Sequence, residues 1–273
     1  MGLESSDSSK GAASSSPARR IVILLLIGAV GGFLSGAFGV GGGIVMVPLL
    51  LWFTSLNQRQ AAATSLVAIV PTSIAGSLSY LANGEVEPLA ALLLAVGGIG
   101  GALIGTKLLR TLPLGWLRWM FIILLLAVAV RLLFEVPERG THIEVTLGVG
   151  LALLGLGLVM GIASGLFGIG GGIIMVPVLV GLFGASDLVA KGTSLLAIIP
   201  TAVTGSVSNW RAGLVRVRDG LVMGIAATVA AVGGVAVAFV MPPQVAAVLF
   251  AVLIAAAVGQ LVWRDLRGRR AVR

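Results

Sequence analysis

The sequence predicts an all-α polytopic membrane protein of two inverted repeats, each a glycine-tipped helical hairpin or broken helix plus three transmembrane helices, about eight hydrophobic segments in all. Three observations carry this expectation. Hydrophobic residues fill 58% of the 273 positions and charged residues only 10%, with a mean hydropathy of +1.12, whereas soluble domains carry about a quarter charged residues. The segment "SGAFGVGGGIVMVP" at 35–48 returns 129 positions later as "SGLFGIGGGIIMVP" at 164–177, identical at eleven of fourteen residues. Equivalent loops of the two halves also differ in charge: "NGEVE" at 83–87 is acidic where its counterpart carries Arg211, Arg216 and Arg218, and the turn with Lys107, Arg110 and Arg118 is basic where "VMPPQV" at 240–245 is neutral. Positive loops stay on the cytoplasmic side, so equivalent loops face opposite sides and the repeats are inverted.

Taken in order, residues 1–20 form a Ser-, Ala- and Gly-rich disordered cytoplasmic tail ending in Arg19 and Arg20. The apolar run that follows resembles a signal peptide, but Gly28, Gly32 and Gly36 recur as Gly157, Gly161 and Gly165, which assigns it to the mature fold. The first transmembrane repeat covers 21–134, with a glycine-rich region at 21–53 and spans near 61–82, 88–109 and 114–134. A linker at 135–142 leads to the second repeat at 143–262, with its glycine-rich region at 143–184 and spans near 190–210, 217–240 and 244–262. A basic cytoplasmic tail, 263–273, closes the chain. Region 21–53 must enter and leave on one side. At 1.5 Å per residue it measures about 50 Å as one helix, too long for one span of roughly 30 Å and too short for two. A hairpin with the glycines at its tip fits, and a kinked single span is the alternative. The protein is expected in the cell (inner) membrane with both termini cytoplasmic.

The candidate site lies at the tips. Irregular backbone at membrane depth is tolerated only inside protein or beside a wet cavity. Clustered glycines permit positive φ and close approach of a ligand, and free N–H groups leading into a helix N-terminus suit an anion. Gly41, Gly42 and Gly43, with Gly170, Gly171 and Gly172, are therefore candidate substrate-binding residues. The second repeated segment, "TSLVAIVPTSIAGS" at 64–77 and "TSLLAIIPTAVTGS" at 193–206, matches at nine of fourteen positions. It adds Thr64, Ser65, Thr193 and Ser194, whose hydroxyls cap a helix or coordinate oxyanion oxygens. Pro71 and Pro200 free carbonyls or kink the axis. The ladders Gly28/Gly32/Gly36, Gly97/Gly101/Gly105 and Gly157/Gly161/Gly165 are read as helix-packing faces. Lys191, whose repeat counterpart is Ala62, attracts an anion or snorkels to the interface; Arg131 snorkels, and His142 is a solvated loop residue.

Other classes are excluded by what the sequence lacks. There is no cysteine for a disulfide or thiolate site, the glycine clusters lack the Lys-Ser/Thr of a phosphate-binding loop, and no metal-ligand spacing occurs. No enzyme activity and no cofactor are expected. The net charge of +8 sits at segment ends as a topology signal and not as a nucleic-acid footprint. The expected partners are a small anionic substrate and the lipid bilayer, and a homo-oligomer is compatible with the sequence.

The paired "SGxFGxGGGxxxVP" segments, each followed by "TSLxAIxPT", resemble the TauE/SafE sulfite exporter family, also called TSUP permeases, over about 21–262. The resemblance implies eight or so hydrophobic segments in two repeats and transport of sulfite, sulfonates or other sulfur-containing or organic anions. It selects Gly41, Gly42, Gly43 and Ser65 in one half and Gly170, Gly171, Gly172 and Ser194 in the other. One departure is Asn209-Trp210-Arg211 where the first half has Tyr80-Leu81-Ala82. The expectation is a secondary transporter working by rocking of the two halves. Export is favoured because Glu85, Glu87, Glu135, Glu138, Glu144 and Asp187 all read as loop residues, leaving no buried carboxylate for ion coupling. An anion channel and a non-transporting structural membrane protein are the alternatives.

Overall fold

Each long apolar region breaks where its glycines cluster. The computed structural model describes residues 17–132 and 145–270. Its helices are α1 (Pro17–Phe38), α2 (Gly43–Phe53), α3 (Gln58–Leu81), α4 (Pro88–Thr111), α5 (Leu114–Leu132), α6 (Leu147–Phe167), α7 (Gly172–Phe183), α8 (Asp187–Arg211), α9 (Val217–Val240) and α10 (Pro243–Arg270). The tail up to residue 16 and the linker 135–142 with Glu135, Glu138 and His142 lie outside the described residues. So do Glu144, residues 271–273 and the side chains of Arg118, Arg131 and 263–270.

Six of these helices, α1, α3, α4, α6, α8 and α9, are long and apolar enough to cross a membrane. α2 and α7 have only 11 and 12 residues, about 16–18 Å and half a hydrocarbon core. Both double back on the preceding helix. A Cβ on Gly42 would stand 2.4 Å from the Gly31 carbonyl oxygen, and one on Gly171 would stand 2.9 Å from the Met160 carbonyl oxygen. A continuous helix would hold residues eleven apart about 16 Å from each other, so the glycine regions are hairpins and not kinked spans. The eight hydrophobic segments accordingly become ten helices.

α3 and α8 begin earlier than the hydrophobicity suggests. Asn57 and Gln60 form a capping box at α3, and the Ser186 hydroxyl accepts from Val189 N–H at α8. Polar first turns are hidden from a hydropathy reading, and Thr64 and Thr193 therefore sit two turns inside their helices. They do not cap them.

Close contacts fix the directions of the helices. α1 runs beside α9 in step, with Gly28, Gly32 and Gly36 against Met223, Ala227 and Ala231; α3 likewise ascends with α9, Thr64 and Val67 facing Gly220 and Pro71 facing Gly224. α4 and α6 ascend together, Gly97, Gly101 and Gly105 meeting Leu154, Leu158 and Ile162. α3 and α8 cross in opposite senses, with Gly76 against Leu195 and Leu66 against Gly205. Helices at equivalent places in the two repeats therefore run in opposite directions, as inverted repeats require.

The glycine ladders pack helices closely, and the partner helix always belongs to the other repeat. A Cβ on Gly32 would lie 2.2 Å from the Ala227 carbonyl oxygen, and one on Gly101 2.1 Å from that of Leu158. Aromatic stacking follows the same crossing pattern: Phe38 at the end of α1 stacks on Phe250 of α10 (4.9 Å), and Phe167 at the end of α6 stacks on Phe121 of α5 (5.2 Å). Two buried apolar clusters result, one centred on α1, α2, α5 and α10 and one on α4, α6, α7 and α8.

Two outcomes test this arrangement. Gly101→Val should lower stability by about 3 kcal/mol through overpacking, whereas Gly155→Ala, with open space around it, should gain up to about 1 kcal/mol from helix propensity; thermal melting in detergent measures both. Cysteines at the exposed Asn83 and Ala212 should be labelled by a membrane-impermeant maleimide from opposite faces, and labelling of both from one face would contradict the inversion.

Candidate functional site: two glycine tips in contact

The tips, Gly39–Gly42 and Gly168–Gly171, meet each other between α3 and α8. Their glycines adopt the conformation that side chains resist. Gly39, Gly41 and Gly42 have φ of 70°, 82° and 77°, and Gly168, Gly170 and Gly171 have 70°, 81° and 88°. Contact is tight enough to exclude a side chain at the flanking positions as well: a Cβ on Gly43 would lie 2.2 Å from the Gly168 oxygen, and one on Gly172 would lie 2.4 Å from the Gly39 oxygen. Gly41 and Gly170 lie back to back at the centre, where an added Cβ on either would find the other's Cα at 3.5 Å. Ile69 and Ile198, from the repeated "TSLxAIxP" segments, place methyl groups against these two glycines.

Each tip is held by a serine of the opposite repeat. Ser65 shares its hydroxyl proton between the carbonyls of Gly168 (2.7 Å) and Ala62 (2.9 Å). Ser194 does the same for the carbonyls of Gly39 and Lys191. With the Gly39 and Gly168 carbonyls drawn to serine, the N–H groups of Val40, Gly41 and Gly42, and of Ile169, Gly170 and Gly171, have no acceptor among the described residues. The N–H groups of Gly43 and Ile44, and of Gly172 and Ile173, at the starts of α2 and α7, add to them, since a helix start leaves its first donors unpaired. All of these residues are buried. Ser35 and Ser164, which open the repeated motif one turn before the tips, contribute buried hydroxyls without a partner among the described residues. The result is a concentration of donors in a dry setting, the chemistry that receives an anion.

The other expected residues have different places. Thr64 Oγ1 accepts from Arg216 N–H (3.1 Å) and Thr193 Oγ1 from Glu87 N–H (2.9 Å), so these threonines secure the loops leading into α9 and α4. Lys191 neither snorkels nor stands alone: its Nζ pairs with Asp187 at 2.7 Å, and the residue is 2% exposed. Its stem cradles Gly39, where the symmetric place under Gly168 is taken by Ala62.

Asp187 corrects the reading of the loops. It opens α8 and is 6% exposed, and Asp219 in the first turn of α9 is equally buried and pairs with Arg20. Both carboxylates lie at helix N-termini, where the backbone dipole favours negative charge. The absence of a buried carboxylate therefore cannot support export. Asp187 looked like a loop residue because it follows "FGAS", with only three residues between it and Lys191; the i, i+4 spacing was the available signal for the pair.

The Asp187–Lys191 pair also breaks the pseudo-symmetry. Its counterparts in the first repeat are Gln58 and Ala62, and the counterpart of Tyr80, whose hydroxyl donates to the Gly36 carbonyl (2.9 Å), is Asn209. Gln58 and Asn209 are buried with both amide atoms unpartnered among the described residues.

The family profile described as sulfite exporter TauE/SafE matches residues 3–132 and 153–273. The probable membrane transporter protein YunE of Bacillus subtilis is 27% identical over 215 residues, covering 68% of this chain and 77% of that protein. A probable membrane transporter protein of Xylella fastidiosa strain Temecula1 is 31% identical over 174 residues, covering 63% and 67%. No solved structure matches the chain. With a family match over nearly its whole length, on a fold of apolar helices with paired glycine tips, the chain belongs to the TauE/SafE family of membrane transporters.

Proposed function

We propose that this transporter moves a small oxyanion, sulfite or a related sulfur-containing or organic anion, out of the cell, and that the anion binds between the two glycine tips. The observation that carries the reading is the pair of facing tips whose buried N–H groups lack acceptors. Leaving such donors unmet costs about 1–3 kcal/mol each, and an oxyanion satisfies several at once. Gly41, Gly42, Gly43, Gly170, Gly171 and Gly172 supply the backbone; Ser35 and Ser164 supply hydroxyls; Ser65 and Ser194 hold the tips. Export rests on the membrane potential, which favours anion exit by about 2.3 kcal/mol per charge per 100 mV, and on the family's description as sulfite exporters.

The contacts also bear on how the site would open. The closest packing, α1 on α9 and α4 on α6, joins one repeat to the other and argues against the sequence repeats rocking apart as two blocks. The moving units are instead two triplets, α1 with α3 and α9, and α4 with α6 and α8, which meet at the α3/α8 crossing beside the tips. Ile69 and Ile198 separate from the glycines as the triplets part. Lys191 lies at one mouth of this route and exchanges Asp187 for the passing anion.

The first test is sulfite efflux from proteoliposomes at a set membrane potential. Gly41→Ala and Gly170→Ala are the informative variants, since the added methyl finds its nearest neighbours at 3.3 Å and 3.4 Å, and the left-handed backbone costs about 1–2 kcal/mol. Folded protein with saturable flux lost in both is the expected result; wild-type flux in both would remove the tips from the route. A second test concerns the ion pair. Lys191→Ala alone should destabilise by about 3 kcal/mol by stranding a buried carboxylate. The double variant D187Q/K191A, which installs the first repeat's residues, should recover stability yet raise KM about tenfold; an unchanged KM would confine the pair to packing.

A further inference from the structure

A second cationic site lies away from the tips, between the start of α1 and the loop entering α9. Arg20, Arg216, Arg218 and Asp219 line a cavity of about 440 Å³ together with Leu24 and Val222. Asp219 is buried and occupied by Arg20. Arg216 and Arg218 are exposed and have no ion-pair partner among the described residues, so the cavity keeps a net positive charge. Its position is fixed, because the Arg216 N–H is held by Thr64 Oγ1 of α3.

The internal duplication supplies a control. The positions equivalent to Arg20, Arg216, Arg218 and Asp219 are Val149, Glu87, Leu89 and Ala90, which carry no basic residue. A station on a pseudo-symmetric substrate route would be expected at both mouths; this one exists at a single face, the face whose basic loops mark it as cytoplasmic. The cavity falls within the roughly 300–1,000 Å³ of small-ligand sites, and a sulfite-sized anion would fill only a fraction of it. Beside it, Val22, Leu25, Val217 and Leu221 expose aliphatic side chains on α1 and α9, a surface for acyl chains and not for a free anion.

We propose that this cavity binds the phosphodiester headgroup of an anionic phospholipid of the cytoplasmic leaflet, with Arg216 and Arg218 on the phosphate and the acyl chains along α1 and α9. Basic pockets between transmembrane helices on this side attract such headgroups. Occupancy ties the first helix of one repeat to α9 of the other, the pair that carries the Gly28, Gly32 and Gly36 contacts.

Native mass spectrometry of the full chain, extracted from bilayers of equimolar phosphatidylcholine and phosphatidylglycerol, tests the assignment. The wild type should retain phosphatidylglycerol over phosphatidylcholine. R216Q/R218Q should cut that preference roughly 25-fold, about fivefold per arginine, and K107Q, a basic residue outside the cavity, should leave it intact. No preference in the wild type, or a preference that survives R216Q/R218Q, would overturn the proposal. Calorimetric binding of inorganic phosphate that disappears in R216Q/R218Q while lipid retention does not would overturn it too, by assigning the cavity to a free oxyanion.

Discussion

The fold depends on the approach of helix backbones at glycines that admit no side chain. Between lipid-solvated helices no hydrophobic force favours association, because acyl chains are as apolar as leucine; packing distance and polar contacts must do it. Here α1 meets α9 and α4 meets α6 with carbonyl oxygens where Cβ atoms would stand. These surfaces join opposite repeats, so neither half completes its own packing. The hairpin of one repeat is held by the late helix of the other, and the tips are carried to the centre by that exchange.

At the centre the same exchange is made with hydrogen bonds. Ser65 binds the tip of the second repeat and Ser194 the tip of the first, and Phe167 and Phe38, each immediately before a tip, stack on helices of the opposite repeat. A tip so held has its Gly39 or Gly168 carbonyl engaged by serine, while the N–H groups of the three residues that follow are left over. That imbalance follows from sequence: glycine at 39 and 168 lets the chain turn with positive φ, and a serine seven residues into α3 or α8 meets the turned carbonyl. The Thr that precedes each serine faces outward to a loop N–H, so the adjacent hydroxyls of "TS" serve two purposes, one for the tip and one for the neighbouring helix entrance.

Much of this was legible in the sequence. The duplication, the inversion and the hairpins follow from motif identity, loop charge and length, because membrane thickness leaves few ways to place 33 apolar residues between loops on one side. Four-residue glycine spacing announced close packing but could not name the partner helix, since spacing describes one surface and contact needs two. The starts of α3 and α8 were missed because capping residues and polar first turns look like loop. Asp187 was missed for the same reason. Gln58 offered no signal until its burial was known, Asn209 was legible only as a departure from Tyr80 in the other repeat, and Ile69 and Ile198 were hidden among ordinary apolar residues of the repeated segment.

The departures from symmetry carry a consequence of their own. Two identical inverted repeats would present the same chemistry to both faces of the membrane, and a route through their centre would have identical mouths. Here one end of the α3/α8 crossing has Asp187, Lys191 and Tyr80 and the other Gln58, Ala62 and Asn209. The ion pair is internally neutral and its members are satisfied, whereas the amides are not. Burying a charged pair and burying unpartnered amides are both costly, and packing alone would be served better by apolar residues at all of these positions. The costs fall on the two ends of the α3/α8 crossing, the helices that hold the tips. Under the proposed route, differences placed there would bias which end opens first, while the shared glycine and serine framework would present the same backbone donors from either side.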